Sequence, residues 1–334
     1  MNDRRARRCQ PARPTSVLIA AYQAEWCLDA CLASIAYGSH LPERVIVVDD
    51  GSTEATSEVA EGWSSRLPMT VVRLPTNVGL AAARNAGLAV ADTELISVLD
   101  ADDMVLPDHI RMSVDAHEAF GGIISPNAFY WLGDGRLTSY RNRLRRTSVP
   151  KTDQLAELLR RNFVFVASTV ARQRLRDFVG FRGMPSTPPQ DGAAIPPIGA
   201  RGIVEDWDMW LRLVADGEQV SALRTPTVLY RVTRESLGSS ERSLANAALH
   251  LLQVFEHEHP GLATSAVRRG RRELHARLRV SDLQEKCRTL ERRATPAETL
   301  RSLSCDPRLV SRTLGMALLP PSFVNRHFGQ RGAW

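Results

Sequence analysis

Apolar residues fall along the first third of the chain in short unbroken blocks. Four such runs stand out: SVLIAAY (Ser16–Tyr22), ERVIVVDDGS, MTVVRLP and ELISVLD. Each is almost wholly apolar, as a strand buried on both faces requires. The stretches between them have helical spacing instead. AEWCLDACLASIAYG ends in Gly38, a predicted C-cap. STEATSEVAEGW offers Ser52 or Thr53 as N-cap, and NVGLAAARNAGLAVA is an Ala-rich helix entered through a glycine turn. Strand and helix alternate four times, which predicts an α/β fold with a mostly parallel sheet and helices on both faces.

The middle of the chain is less regular. GGIISPNAFYWL predicts a strand, DQLAELLRRN a helix, and FVFVASTVARQRLRDFVGF a strand leading into a helix. Arg182 to Val204 holds five prolines and four glycines, so it reads as a long loop, mobile or acting as a lid. EDWDMWLRLVADG then predicts a helix and PTVLYRVT a strand. Beyond about Leu237 the pattern is helical and charged: LANAALHLLQVFEHEHP is amphipathic, and AVRRGRRELHARLRVSDLQEKCRTLERRA is basic with a thin apolar stripe. The predicted organisation is a disordered basic tail over 1–14, an α/β domain over 15–240 with halves at 15–110 and 111–240, and a helical region over 241–334.

Composition narrows the function classes. The 334 residues carry 43 Lys and Arg against 37 Asp and Glu, a formal charge of +6. Lys151 and Lys286 are the only lysines. An arginine excess favours anionic partners such as phosphorylated substrates or an acidic lipid surface. No zinc-finger spacing or aromatic RNA-binding signature accompanies it, so nucleic acid is not expected. No apolar run reaches about eighteen residues, so no transmembrane helix is predicted. The basic N-terminus lacks the apolar segment of a secretory signal. The five scattered cysteines form no CxxC pair, which fits a reducing cytoplasm rather than a disulfide framework. A cytoplasmic protein is expected, with a peripheral contact to the inner membrane face and a homodimer both left open for the Arg-rich C-terminal helices.

The candidate chemistry lies where strands end. In an open parallel sheet, ligands bind beyond the carboxyl ends of the strands. Tyr22 follows the first strand, Asp49 and Asp50 follow the second, and Asp100, Asp102 and Asp103 follow the fourth. Carboxylates crowded this closely repel one another and make poor core. Taken alone, the Asp100–Asp103 cluster is also compatible with a turn and helix cap. With the Asp49–Asp50 pair it suits a hard cation, Mg²⁺ or Mn²⁺, which prefers one or two carboxylates plus substrate phosphate oxygens. Trp207 and Trp210 read as packing residues. His250, His257 and His259 read as a solvated helix end, since residues two apart do not share a helix face.

VLIAAYQAE, VIVVDDGSTEAT, NVGLAAARNAGLAVA and LDADDMVLPDHI stand in the order and spacing of family 2 glycosyltransferases. VEDWDMWLRL and YRVTRESLGS continue the resemblance, which covers about Thr15 to Ser240. It implies a GT-A fold, here with a helical C-terminal extension, and an inverting, metal-dependent transfer of one sugar from a UDP-, GDP- or dTDP-linked donor. The implied acceptor is the hydroxyl of a cell-envelope glycan, a lipid carrier or a secondary metabolite. Residue by residue, Ala20, Tyr22 and Glu25 match the loop that holds the nucleotide base, and Asp50 the acid that hydrogen-bonds it. Arg84 matches the basic residue near base and diphosphate. Asp100 matches the acid near the ribose, Asp102 the direct metal ligand, and Asp206 the catalytic base.

This chain departs from the family pattern at Ala20, Gln23, the long Arg182–Val204 loop and Thr233, which stands where the family has histidine. The QxxRW signature of processive synthases is absent, which favours single addition. A non-catalytic sugar-nucleotide-binding scaffold is the alternative. A sugar nucleotidyltransferase would need a Gly-rich basic phosphate loop after the first strand, which AAYQAEW lacks. A haloacid-type phosphatase would need its DxD on the first strand.

Overall fold

Four of the predicted apolar runs become the parallel strands β1 (Thr15–Ala21), β2 (Arg44–Asp49), β3 (Met69–Arg73) and β4 (Leu95–Asp100), in the order β3-β2-β1-β4. The computed structural model describes residues 13–132, 137–139, 149–177, 180–189, 192, 194–232, 240–289, 294–302, 313, 314 and 316. Side chains alternate across these strands. Val17, Ile19, Val45 and Val47 lie in one core cluster with Cys27, Leu28, Cys31, Leu32 and Ile35 of helix α1 (Glu25–Ala36) and Ala60 of helix α2 (Thr56–Gly62). Leu18, Ile46 and Val48 face the other way, onto helix α3 (Leu80–Val90). There Gly87 comes so close that an added Cβ would sit 2.1 Å from Leu18 Cδ1. The small residues of this helix let it settle against the sheet. Each large apolar side chain buried here contributes about 1.5–3 kcal/mol.

The sheet continues through β8 (Thr169–Ala171), β6 (Ile123–Leu132), β9 (Val220–Val232) and β5 (Met104–Val105), with β7 (Leu137–Ser139) paired to β6. Its longer ladders, β1 with β2, β1 with β4, β2 with β3 and β6 with β9, are parallel. The short ladders of β4 with β8, β5 with β9, and β6 with β7 and β8 are antiparallel. Helices α4 (His109–Phe120), α5 (Gln154–Leu158), α6 (Arg172–Asp177) and α7 (Glu205–Ala215) complete this unit. It comprises the chain up to Leu158 together with Asn162–Gly183 and Pro196–Thr233.

A second compact unit contains Leu159–Arg161, Met184–Ile195 and the chain from Arg234. Its helices are α8 (Glu241–Glu258), α9 (Thr264–Thr289) and α10 (Pro296–Ser302). Ser240 caps α8 by accepting the Ser243 N–H at 3.2 Å. Asn246 of α8 donates to the Ser186 carbonyl at 3.2 Å, and Arg160 pairs with Glu273 of α9 at 2.9 Å.

Several local expectations need correction. Helix α1 ends on Tyr37 as C-cap, and Gly38 is not left-handed. Helix α2 starts at Thr56 with no side-chain cap, because Ser52 and Thr53 bond elsewhere, as described below. The predicted strand through Phe163 is confined to Thr169–Ala171. The Ser168 N–H turns back to the Val166 carbonyl at 2.6 Å just before it. Of the expected basic tail, residues 1–12 lie outside the described residues, whereas Arg13 is held by His117 at 3.1 Å and Glu94 at 3.2 Å. The Arg182–Val204 loop contains no helix and no strand among its described residues. Its Met184–Ile195 part belongs to the helical unit.

Candidate active site

Strand register gathers the candidate residues at one sheet edge. Ala20 on β1 stands beside Val48 of β2 and Asp100 of β4, and Ala21 beside Asp49. The loop leaving β1 is stitched to the loop leaving β2. Gln23, in the left-handed region at φ 51°, donates its N–H to Ser52 Oγ at 2.9 Å, and its Oε1 accepts the Thr53 N–H at 2.8 Å. The Ala24 N–H reaches Thr56 Oγ1 at 3.0 Å, and Glu25 Oε2 accepts the Ala55 N–H at 3.2 Å. The hydroxyls read as helix caps therefore join two loops, leaving Tyr22 51% exposed at their rim.

Asp49 and Asp50 are both buried but serve different ends. Asp49 accepts from the Ser52 N–H at 2.9 Å and from Ser57 Oγ, closing its own turn. Asp50 reaches across to the loop before α3, accepting the Val78 N–H at 2.7 Å and the Gly79 N–H at 2.8 Å. Gly51 makes that crossing possible: its φ is +72°, and an added Cβ would lie 2.4 Å from the Thr76 backbone.

The turn after β4 is closed by the Asp103 N–H on the Asp100 carbonyl at 3.1 Å. Asp100 accepts from Arg84 Nη2 at 2.7 Å. Asp102 is pushed up to about 6 by burial and by the Asp100 charge. Asp103 is fully buried. Its Oδ1 accepts the Arg231 N–H at 2.9 Å, while its Oδ2 has no hydrogen-bond partner among the described residues. Burial and the charges of Asp100 and Asp102 hold its carboxyl well above the usual range.

Helix α7 brings in the remaining carboxylates. Its N-cap, Val204, has φ 58° and ψ 27°, a left-handed conformation that a β-branched residue rarely adopts. Glu205 and Asp206 follow directly. Arg84 of α3, only 1% exposed, donates to both Glu205 and Asp100, so one guanidinium ties β4, α3 and α7 together. Asp206 accepts the Asn162 amide at 3.1 Å and the Trp207 N–H at 2.7 Å. Burial and the adjacent Glu205 push its carboxyl up to about 7, against the opposing pull of Arg84. Trp207 and Trp210 are buried, and Trp207 Nε1 donates to the Leu158 carbonyl at 2.8 Å. A buried ion-pair cluster anchors the helix further along: Asp208 binds Arg182 at 2.6 Å and Arg212 at 2.7 Å.

Among the described residues, the thiols and the histidine nearest this turn are poorly suited to act as nucleophiles or bases. Burial and Asp102 push the Cys27 thiol up to about 12, and burial likewise raises Cys31. His109 is buried between Ser97 at 3.3 Å and Thr227 at 2.9 Å, and burial lowers it to about 4. Such an arrangement can bind a cation beside β4, and through that cation a diphosphate, and can accept a proton at Asp206.

Residues 16–176 match the model of glycosyl transferase family 2. Over that stretch the chain is similar to glycosyl transferase family 2. The chain is 31% identical to the amylovoran biosynthesis glycosyltransferase AmsE of Erwinia amylovora over 116 residues, 34% of this chain and 44% of that protein. It is 28% identical to the succinoglycan biosynthesis protein ExoU of Rhizobium meliloti over 292 residues, 80% of this chain and 77% of that one. Its fold is like that of S. aureus TarS 1–349, solved with UDP-GlcNAc, at a TM-score of 0.59 and 16% identity, covering 94% of this chain and 83% of that one. It is also like the mannosyltransferase PcManGT of Pyrobaculum calidifontis, solved with GDP-Man and Mn²⁺, at a TM-score of 0.55 and 15% identity, covering 96% and 90%. The fold is the expected GT-A type with a helical C-terminal region.

Sequence reasoning missed three residues of this candidate site. Glu205 has no role of its own in the EDWDMW block, whereas in the fold it shares Arg84 with Asp100. Asn162 sits in an undistinguished stretch and reaches Asp206 only through folding. Arg231, inside the YRVT block, holds the Asp102–Asp103 turn; the motif gave its place but not its role. Thr233 lies outside the described residues.

Proposed function

We propose that this protein moves one sugar from a nucleoside-diphosphate sugar to an acceptor hydroxyl with inversion at the anomeric carbon. The observation carrying this reading is that Asp100, at the end of β4, and Glu205, beside Asp206, are bound by the same Arg84 guanidinium. That linkage joins the strand-end carboxylates to a carboxyl suited to proton transfer near neutral pH. In this reading the Ala20–Tyr22–Glu25 loop and Asp50 hold the nucleotide base, and Asp100 lies near the ribose. Arg84 acts beneath the site, setting the carboxylates in place.

Asp102 suits a divalent cation. Asp102 is partly buried, its carboxyl is raised by burial and Asp100, and the neighbouring Asp103 keeps an orphaned buried oxygen. Among the described residues no group of three ligating side chains forms a preassembled cage. Mg²⁺ or Mn²⁺ needs only one or two carboxylates when substrate phosphates complete its shell. Bound through Asp102, either ion would offset charge on the departing diphosphate. Asp206 takes the acceptor hydroxyl proton as the acceptor oxygen bonds to the anomeric carbon and the bond from that carbon to the diphosphate oxygen breaks. A base so placed contributes on the order of 10²–10⁴-fold.

The names of AmsE and ExoU support an acceptor in cell-surface polysaccharide assembly. Helix α9 supports a peripheral encounter with an anionic membrane surface carrying such an acceptor. Arg268, Arg272 and Arg279 recur on its exposed face, with Arg269 beside them. Among the described residues, no helix is long and apolar enough to cross a membrane.

The test is mass spectrometry of products from a panel of UDP-, GDP- and dTDP-sugars with Mn²⁺ or Mg²⁺. Donor-dependent transfer lost in Asp102→Ala and Asp206→Asn is the expected result. Unchanged transfer in both variants overturns the assignment, and donor binding without transfer to any acceptor favours a scaffold subunit.

A further inference from the structure

Arg231 meets the carboxylate turn twice. Met104 pairs with Leu229 and Val105 with Val228 across β5 and β9, a register that continues to set Asp102 against Arg231. The Arg231 N–H binds Asp103 Oδ1 at 2.9 Å, and its Nε–H binds the Asp102 carbonyl oxygen at 2.9 Å. On its other side, β9 pairs Arg231 with Trp131 of β6. The guanidinium lies 4.2 Å from the Trp131 ring centroid and 5.2 Å from that of Trp26. Trp26 is 62% exposed, a large indole left in water at the start of α1. A planar cation resting against two aromatic rings loses much of its freedom, so its hydrogen bond fixes whatever it holds. Here it holds the backbone of Asp102.

Charge points the same way. Asp100, Asp102 and Asp103 repel one another, and Arg231 is the cation that opposes this at both Asp102 and Asp103. Arg84 is engaged on the other side, with Asp100 and Glu205.

We propose that Arg231, seated on Trp26 and Trp131, is a positioning residue that holds the Asp102–Asp103 turn in the shape that receives a divalent cation. This inference rests on the metal-dependent transfer proposed above and adds the element that orients the ligand. Partners that orient a metal ligand without touching the metal commonly control its affinity by about 10–100-fold.

The experiment is Mn²⁺ titration of the full chain, with free Mn²⁺ read by electron paramagnetic resonance and folding checked by circular dichroism. Positioning and plain charge predict opposite signs. Removing a cation beside a metal site should tighten Mn²⁺ binding if charge alone matters. Losing the clamp should weaken it. Arg231→Met is expected to weaken Mn²⁺ binding about tenfold, with Arg231→Lys also weaker than wild type because an ammonium cannot keep the planar contacts. Trp26→Ala, at an exposed position that leaves the core intact, is expected to weaken binding about threefold. It keeps the inference testable should Arg231→Met fold poorly. Unchanged or tighter binding in Arg231→Met, or in Trp26→Ala where Arg231→Met does not fold, overturns the inference while leaving the transferase reading in place. Wild-type protein that takes up no Mn²⁺ overturns the metal reading and this inference with it.

Discussion

Arg84→Met strands two carboxylates, and the structure sets how much that costs. The Asp100 side chain is 29% exposed and can rehydrate; that of Glu205, at 7%, cannot. Removing one partner of a buried pair costs about 3–5 kcal/mol. A stranded carboxylate has one escape, which is to take up a proton. That costs about 1.4 kcal/mol for each pH unit above its ordinary value, giving a ceiling of about 5 kcal/mol at pH 8 and about 1 kcal/mol at pH 5. The expected loss is thus about 3–5 kcal/mol at pH 8, a fall of roughly 4–7 °C in the melting midpoint, and much less at pH 5. Arg84→Met/Glu205→Gln should recover about 2 kcal/mol at pH 8, because a neutral amide leaves no unpaired charge. Urea unfolding at both pH values, followed by tryptophan emission, measures this; Trp207 and Trp210 are buried in the same helix as Glu205. A loss below about 1 kcal/mol at pH 8, or a double variant no more stable than the single one, would refute the reasoning. It would move Arg84 to direct donor contact, where the family resemblance alone places it.

Three further outcomes follow from the carboxylates and the basic helix. With Asp206 raised to about 7, transfer at saturating donor should climb as pH rises through about 7, since the base accepts a proton only once ionised. Glu205→Gln removes the adjacent negative charge, so the midpoint of a pH–rate profile should move to lower pH. Stability runs in the opposite sense: folded protein keeps a proton on Asp206 that the unfolded chain releases, so this group's contribution falls as pH rises from about 4 to about 7. Asp206→Asn should therefore lose transfer yet melt about 3–6 °C higher than wild type at pH 8; an unchanged midpoint in calorimetry would contradict the raised pKa. Finally, the triple variant Arg268→Gln/Arg272→Gln/Arg279→Gln should lose co-sedimentation with anionic vesicles by about 10²-fold, at about 1 kcal/mol per arginine. Equal sedimentation of wild type and variant, or of anionic and neutral vesicles, would remove the membrane contact.

Much of the β1–β4 region was legible because its signals are local. An apolar run buried on both faces needs no partner to be recognised, and β1 to β4 lie where those runs predict. Asp50, Asp100 and Asp102 stand where those runs stop, at the edge where the rule for parallel sheets expects ligands. The less regular middle was harder to place. Phe163 to Ser168 has the composition of a strand, but a turn at Val166–Ser168 withholds it from the sheet. Ser52 and Thr53 have the chemistry of caps, yet Gln23, in a competing loop, donates to both of their hydroxyls.

What the sequence by itself determined is the alternation of elements, the parallel strands β1 to β4 and the identity of the acids at their edge, because hydrophobic periodicity and residue type act over a few neighbouring positions. What only the tertiary structure decided is how those acids are held. Arg84 lies 121 residues from Glu205, and Asp103 lies 128 residues from Arg231. Hydrogen bonds and charge pairs work over a few ångströms of space, and no spacing along the chain says which distant residue will fill them.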